Sequence, residues 1–248
     1  MTKVNTAIRK ERERNFHNER YGGEKDIREP LNRWYAALAA CGRTQNEMVR
    51  RYSKNGMVLE YGCADGYISL VYDHLSEGTD SFVGIDISNQ AIELAQNLAI
   101  AQGLNQCEFT VMDAENMTFP DNSFDVVFGR GILHHLDLSK CFPEIARVLR
   151  PDGKAIFTEP LGHNPALNLF RQITPQLRTP DEHPLLMSDL RFVRTEFSKV
   201  ECKFFGLTTL LAVPFQKTPI GSTLMTLCER VDKILLSLPL RVVQFPYF

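Results

Sequence analysis

Val58-Leu59-Glu60-Tyr61-Gly62-Cys63-Ala64-Asp65-Gly66 is an apolar run that ends in a carboxylate and then breaks into small residues. It reads as a buried strand entering a tight turn, where glycine lets a ligand approach the backbone closely. Glu60 at the strand end suits a cationic ligand, whereas a phosphate would be repelled by Glu60 and Asp65. The dinucleotide fingerprint G-x-G-x-x-G would place glycines at 62, 64 and 67, but the chain has Gly62, Ala64 and Tyr67 there. A dinucleotide oxidoreductase is therefore the weakest reading of this turn.

Working outward, short apolar runs alternate with helical stretches, the pattern of a parallel sheet with crossover helices. The expected strands are 57–61, 81–86, 107–112, 124–128 and 154–158, with helices near 67–75, 89–101 and 140–149. Ser88 is the expected cap of the second helix, whose apolar stripe is Ile92, Leu94, Ala95, Leu98 and Ala99. Residues 1–56 read as an N-terminal helical cap with an apolar face at Leu31, Trp34, Tyr35, Leu38 and Ala39, and 57–160 as the ligand-binding core. Residues 161–248 read as an acceptor-facing lid, the last strands and a C-terminal helix, all within one compact domain. In that last part 161–184, with four prolines and two histidines, reads as a long ordered loop, and 189–197 as a helix. Two strands, 199–205 and 208–213, form an antiparallel hairpin around Gly206, and a helix with Leu224, Leu227, Cys228, Val231, Leu235 and Leu238 on one face follows. The fold class is α/β: a Rossmann-like, doubly wound, mainly parallel seven-stranded sheet ending in an antiparallel hairpin.

Composition narrows the partners. A net charge of −2 over 248 residues supplies no global basic field for nucleic acid. The six cysteines are scattered, without C-x-x-C or a short Cys/His cluster, so no metal site is expected and the thiols read as reduced ones in a cytoplasmic protein. No stretch has the length and apolarity of a membrane span. The apolar face of the C-terminal helix leaves peripheral membrane contact or a homodimer open, although packing onto the sheet is the commoner use of such a face.

The ordered motifs V-L-E-Y-G-C-A-D-G, V-G-I-D-I-S, D-A-E-N-M, F-D-V-V-F-G-R-G-I-L-H-H-L and L-R-P-D-G-K, spanning about 57–160, resemble those of class I S-adenosylmethionine-dependent methyltransferases. The resemblance implies S-adenosylmethionine as the cofactor. Its methionyl end would lie on the backbone around Tyr61, Gly62 and Gly66, with Glu60 behind and the carbonyl of Arg130 on its ammonium. Asp86 would take the ribose hydroxyls, Ile87 would lie against the adenine, Asp113 would receive the adenine amino group, and the amide of Ala114 would donate to a ring nitrogen. Ala64 replaces the usual middle glycine of the family.

Methyl transfer from a sulfonium chiefly requires alignment and exclusion of water. A hydroxyl acceptor also needs its proton removed, which gives His134, His163 or His183 a task. His134 and His135 follow the fourth strand, while His163 and His183 fall in the lid; packing is the competing use of each. No Asn-Pro-Pro-aromatic run follows the fourth strand, and no basic stripe is present, so the expected acceptor is a small molecule, sugar or lipid-linked metabolite methylated at oxygen. N- or C-methylation and a noncatalytic adenosyl-binding partner subunit are the alternatives. Phe170, Phe192, Phe204 and Phe205 are aromatics available to an acceptor pocket, and for most of them a core position is the favoured reading.

Overall fold

The computed structural model describes residues 3–23, 28 and 32–237. Five strands, β1 (Met57–Tyr61), β2 (Ser81–Asp86), β3 (Cys107–Val111), β4 (Phe124–Arg130) and β5 (Leu149–Thr158), form one sheet in the order β3-β2-β1-β4-β5. Every pairing is parallel, with Glu60 opposite Gly84 on one side and Phe128 on the other. The strand order reverses beside β1, so the carboxyl ends of β1, β2 and β4 open a crevice at the switch point.

Period-two alternation splits each strand between two cores. Val58, Phe82, Val126 and Phe128 pack on one face with Val49 of α3 (Ala39–Tyr52) and Ile92, Ala95 and Ala99 of α4 (Asn89–Ala101). Leu59, Tyr61, Val83, Ile85 and Val127 pack on the other, against Cys141, Phe142, Ile145 and Val148 of α5 (Leu138–Val148). Burying each such large side chain contributes about 1.5–3 kcal/mol. Ser88 caps α4 by accepting from the amide of Ala91 at 3.1 Å. The cap consists of α1 (Lys3–Gly22), α2 (Asn32–Tyr35) and α3, and Asn18 of α1 accepts a hydrogen bond from the Ser88 hydroxyl at 2.7 Å. Leu31 and Leu238, expected on apolar helical faces, lie outside the described residues. No helix among the described residues is long and apolar enough to cross a membrane.

Several expectations are corrected. The helix expected over 67–75 is a single π-type turn, Ile68–Tyr72. The fifth strand begins at Leu149 rather than Lys154, because the 151–153 turn is absorbed as a register shift in its pairing with β4. The loop expected over 161–184 contains α6 (Pro165–Ile173), which starts on a helix-ready proline with Asn164 accepting from the amide of Leu167 at 3.3 Å. The expected helix at 189–197 is α7 (Met187–Glu196).

The antiparallel hairpin is absent among the described residues, which hold five strands rather than seven. Residues 199–205 have no regular structure, and α8 (Thr209–Ala212) occupies the second expected strand. The reason lies in α9 (Gly221–Leu235). Its buried Asp232 accepts from the amides of Leu207 and Thr208 at 3.0 and 2.6 Å and from the Thr208 hydroxyl at 2.6 Å. A carboxylate that takes successive amides starts a helix and leaves no ladder for a strand.

Replacing Asp232 by alanine strands these donors and should cost about 3 kcal/mol. Urea unfolding measures it, and an unchanged midpoint would show that the carboxylate does not hold α8 to α9.

Candidate functional site

The carboxyl ends of β1, β2 and β4 open into a cavity of about 640 Å³, roofed by α1 and by the 161–184 segment. Glu60, Gly62, Asp86, Ile87, Asp113, Ala114, Arg130 and His134 all line it. Four separate strand-end motifs are thus brought to one hollow, as the parallel topology requires.

The first turn is built for close approach. Gly62 and Gly66 have φ of 76° and 70°, and a Cβ on Gly62 would fall 2.8 Å from the Ile132 side chain. Ala64 shares this left-handed region at φ 52°, which costs a non-glycine residue about 1 kcal/mol. The turn is held by Asp86, whose carboxylate accepts from the amides of Ala64 at 3.0 Å and Ser88 at 2.9 Å. Burial nonetheless raises the pKa of Asp86 above the ordinary carboxylate value.

Glu60 is buried, and burial pushes it up to about 7 against the opposing pull of Arg130. One carboxylate oxygen accepts from the Ser69 hydroxyl; the other, Oε2, has no hydrogen-bond partner. A buried acceptor left orphaned on a cavity wall is costly unless a donor arrives. A cationic ligand bearing N–H groups fits this position, and the glycine turn admits it to the backbone.

Tyr61 is fully buried and points away from the turn, donating its hydroxyl to the carbonyl of Ala114 and so tying β1 to the segment after β3. Asp113 accepts from the amide of Glu115 at 3.0 Å and pairs with Lys10 of α1 at 2.6 Å. The guanidinium of Arg130 donates to Gln45 at 3.0 Å and Asn46 at 2.7 Å and pairs with Asp73 at 2.8 Å, locking α3 to the carboxyl end of β4.

The histidines separate. His134 lines the cavity, while His163 accepts from the amide of Met187 at 3.0 Å at the start of α7. His183 lies in a shallow outer groove with Leu136, Asp189 and Phe192. His17 and His135 line the main cavity instead, with ring centroids 5.8 Å apart. Of the four phenylalanines, Phe192 packs on Phe142 at 6.1 Å and none lines the main cavity.

Glu159, which the sequence reading passed over, organises this side. Its carboxylate accepts from the amides of Ile132 and Leu133 at 2.9 and 2.8 Å and lies 2.8 Å from Nδ1 of His134. Burial pushes Glu159 up to about 7 and takes His134 well below its ordinary value. Two further groups, Glu13/His17/His135 and His134/His135/Glu182, bring potential ligand atoms within 4.8 Å of one another. No spacing in the sequence announces them, because they join α1, the turn after β4 and the lid.

Residues 59–157 match the family described as "Methyltransferase domain". An uncharacterized methyltransferase of Bacillus subtilis, YcgJ, is 31% identical over 50% of this chain and 48% of its own length. Its crystal structure superposes with a TM-score of 0.53, at 26% identity over 62% of this chain and 67% of that one. The ajmaline N-methyltransferase of Rauvolfia serpentina is 31% identical over 63% of this chain and 49% of its own, and a ubiquinone/menaquinone biosynthesis C-methyltransferase of Geotalea daltonii 30% over 44% and 47%. The chain spans about half the length of these curated relatives.

The raised pKa of Glu60 has a measurable consequence. Its protonated form stabilises the fold below about pH 4.5, and that contribution, about 3 kcal/mol, is lost as pH rises through about 7. A cation bound beside it favours the carboxylate, so affinity for S-adenosylmethionine should rise between pH 5.5 and 7.5 with proton release. Calorimetry in buffers of different ionisation enthalpy detects this, and Glu60→Gln should flatten the profile; an unchanged profile in the variant would remove Glu60 from the ligand's surroundings.

Proposed function

We propose that this chain, which carries a class I S-adenosylmethionine-dependent methyltransferase domain, methylates a hydroxyl oxygen of a small-molecule acceptor, sugars and lipid-linked metabolites included, with His134 as the base. The observation that carries the choice of oxygen is the Glu159–His134 pair on the cavity wall. Above about pH 7, where Glu159 is a carboxylate, it accepts the proton of Nδ1 and fixes the tautomer whose Nε2 is a proton acceptor. A hydroxyl acceptor needs such a group; an amine needs only to arrive unprotonated.

When bound, S-adenosylmethionine supplies a methyl group already activated by its sulfonium. The remaining work falls to the chain. The backbone at Tyr61, Gly62 and Gly66, the orphaned oxygen of Glu60 and the carbonyl of Arg130 would hold the methionyl end. Asp86 would accept from the ribose hydroxyls using lone pairs left after its two amide bonds, with Ile87, Asp113 and Ala114 around the adenine. Lys10, already on Asp113, makes α1 a lid over that end. Closing α1 and the 161–184 segment over the acceptor excludes water and fixes its approach.

His134→Ala should lower turnover by about 10²- to 10⁴-fold with cofactor affinity retained, and partial activity should return at high pH, where a hydroxyl ionises unaided. Wild-type activity should rise through about pH 7 as Glu159 ionises, and Glu159→Gln should lose that step. Release of S-adenosylhomocysteine across a panel of hydroxyl acceptors provides the assay. Full activity of His134→Ala at pH 7 would overturn the assignment of the base.

A further inference from the structure

The turn after β4 carries a second histidine, which has no part in the proton transfer assigned to His134. His135 is 5% exposed and lines the same cavity, together with Glu13 and His17 of α1. Glu13 and His17 stand one helical turn apart, so α1 presents both on one face. Glu13 Oε2 lies 3.1 Å from Nδ1 of His135 and 3.7 Å from Nε2 of His17. Glu13 is also 5% exposed, and neither its Oε2 nor Nδ1 of His135 has a hydrogen-bond partner. Two buried polar atoms this close, yet not aligned for a bond with each other, destabilise the fold unless a third group joins them.

We infer that Glu13, His17 and His135 form a site for one divalent transition-metal ion of the Zn²⁺ type, whose open position takes the acceptor hydroxyl. Ligand atoms about 2.0–2.2 Å from such an ion stand roughly 3.0–3.5 Å from one another. The two spacings on Glu13 Oε2 are close to this, and the potential ligand atoms of all three residues lie within 4.8 Å. Two imidazoles and a carboxylate suit Zn²⁺ and leave a fourth position for water or substrate. The ligands are also supported from behind. Thr179 donates to the other oxygen of Glu13, Nε2 of His135 is 3.7 Å from Glu182 Oε1, and the His17 ring stacks on Tyr21 at 6.2 Å. The alternative group of His134, His135 and Glu182 is less suited, because Glu159 holds Nδ1 of His134 and Arg28 holds Glu182. Guanidiniums stand nearby, but each has other acceptors or faces: Arg9 donates to the His135 carbonyl and to Glu115, Arg28 to Glu182 and the Leu177 carbonyl, and Arg20 lies over the Tyr21 ring. The protonation states are those that ligate. Burial takes His17 down to about 3, with His135, Arg28 and Arg20 adding to it, so its ring is neutral. Burial opposes ionisation of Glu13, yet its contacts with His135 and Thr179 hold it below the ordinary carboxylate value. The inference deepens the methyltransferase reading and rests on it only for the use of the ion. The rings of His134 and His135 are 4.1 Å apart, which brings a metal-bound hydroxyl beside the base. The ion lowers the pKa of that hydroxyl, and its proton passes to Nε2 of His134. The oxygen lone pair then bonds to the methyl carbon, and the electrons of the breaking carbon–sulfur bond return to sulfur, leaving a neutral thioether.

Equilibrium dialysis of the full chain, first stripped with EDTA, against ZnCl₂ and CoCl₂ tests the site. One saturable equivalent should bind, and the Co²⁺ form should show visible bands of nitrogen and oxygen ligation without thiolate charge-transfer absorption, which separates this site from the free cysteines. E13Q and H17F should each weaken binding at least about tenfold. Should E13Q not fold, H17F decides alone. No saturable equivalent, undiminished binding in a folded variant, or thiolate bands in the Co²⁺ form overturns the inference. Turnover across the hydroxyl panel should fall on chelation and return with ZnCl₂; turnover indifferent to chelation overturns the role of the ion on the acceptor. If S-adenosylhomocysteine does not bind the wild-type chain, the methyltransferase reading fails by itself, and the dialysis still decides the metal site.

Discussion

Carboxylates withdrawn from water at the ends of parallel strands are the constraint on which this molecule is built. A parallel sheet covered by helices on both faces leaves only its strand ends for polar chemistry, and the acids placed there must find donors or lose their charge. Three solutions coexist around one cavity. Asp86 takes the amides of Ala64 in the glycine turn and of Ser88 after β2, Glu159 takes those of the turn after β4 and the His134 ring, and Glu60 satisfies one oxygen and leaves the other bare. The first two stiffen the loops that carry the site. The third stores a desolvation cost that a cationic ligand relieves.

The same constraint explains why ion pairs tie the N-terminal cap to the core and to the 161–184 segment. Lys10 reaches Asp113, Arg9 reaches the buried Glu115, and Arg28 reaches Glu182. Such pairs are oriented by charge as well as shape, so the roof of the cavity is registered on the acids beneath it. Isolated surface pairs contribute little, but a partly buried network excludes water and fixes geometry.

The core was legible in the sequence for plain reasons. Residues 57–61 and 81–86 carry dense apolar runs between turn signals, and α4 matches its expected bounds because Ser88 is a strong cap followed by an uninterrupted stripe. After residue 160 the local pattern misleads. Thr208 to Val213 has strand composition, yet Asp232, some two dozen residues later, supplies the acceptors that turn it into a helix. A β-branched run reports only that it fits a pleated surface, and no sheet edge was offered to it.

The sequence by itself determined the five parallel strands, the acids Glu60 and Asp86 at the ends of the first two and the glycine turn, because hydrophobic period and turn chemistry are local and survive without knowledge of neighbours. Only the tertiary structure decided which histidine faces the cavity. His134, His163 and His183 are equivalent by composition, but one is held by Glu159 on the cavity wall, one is spent at the start of α7, and one lies in an outer groove. It also decided that arginines from α1, residue 28 and the 161–184 segment share one hollow. Those residues are far apart along the chain, and the folding of cap and lid over the same strand ends brings them together, a long-range event that no spacing encodes.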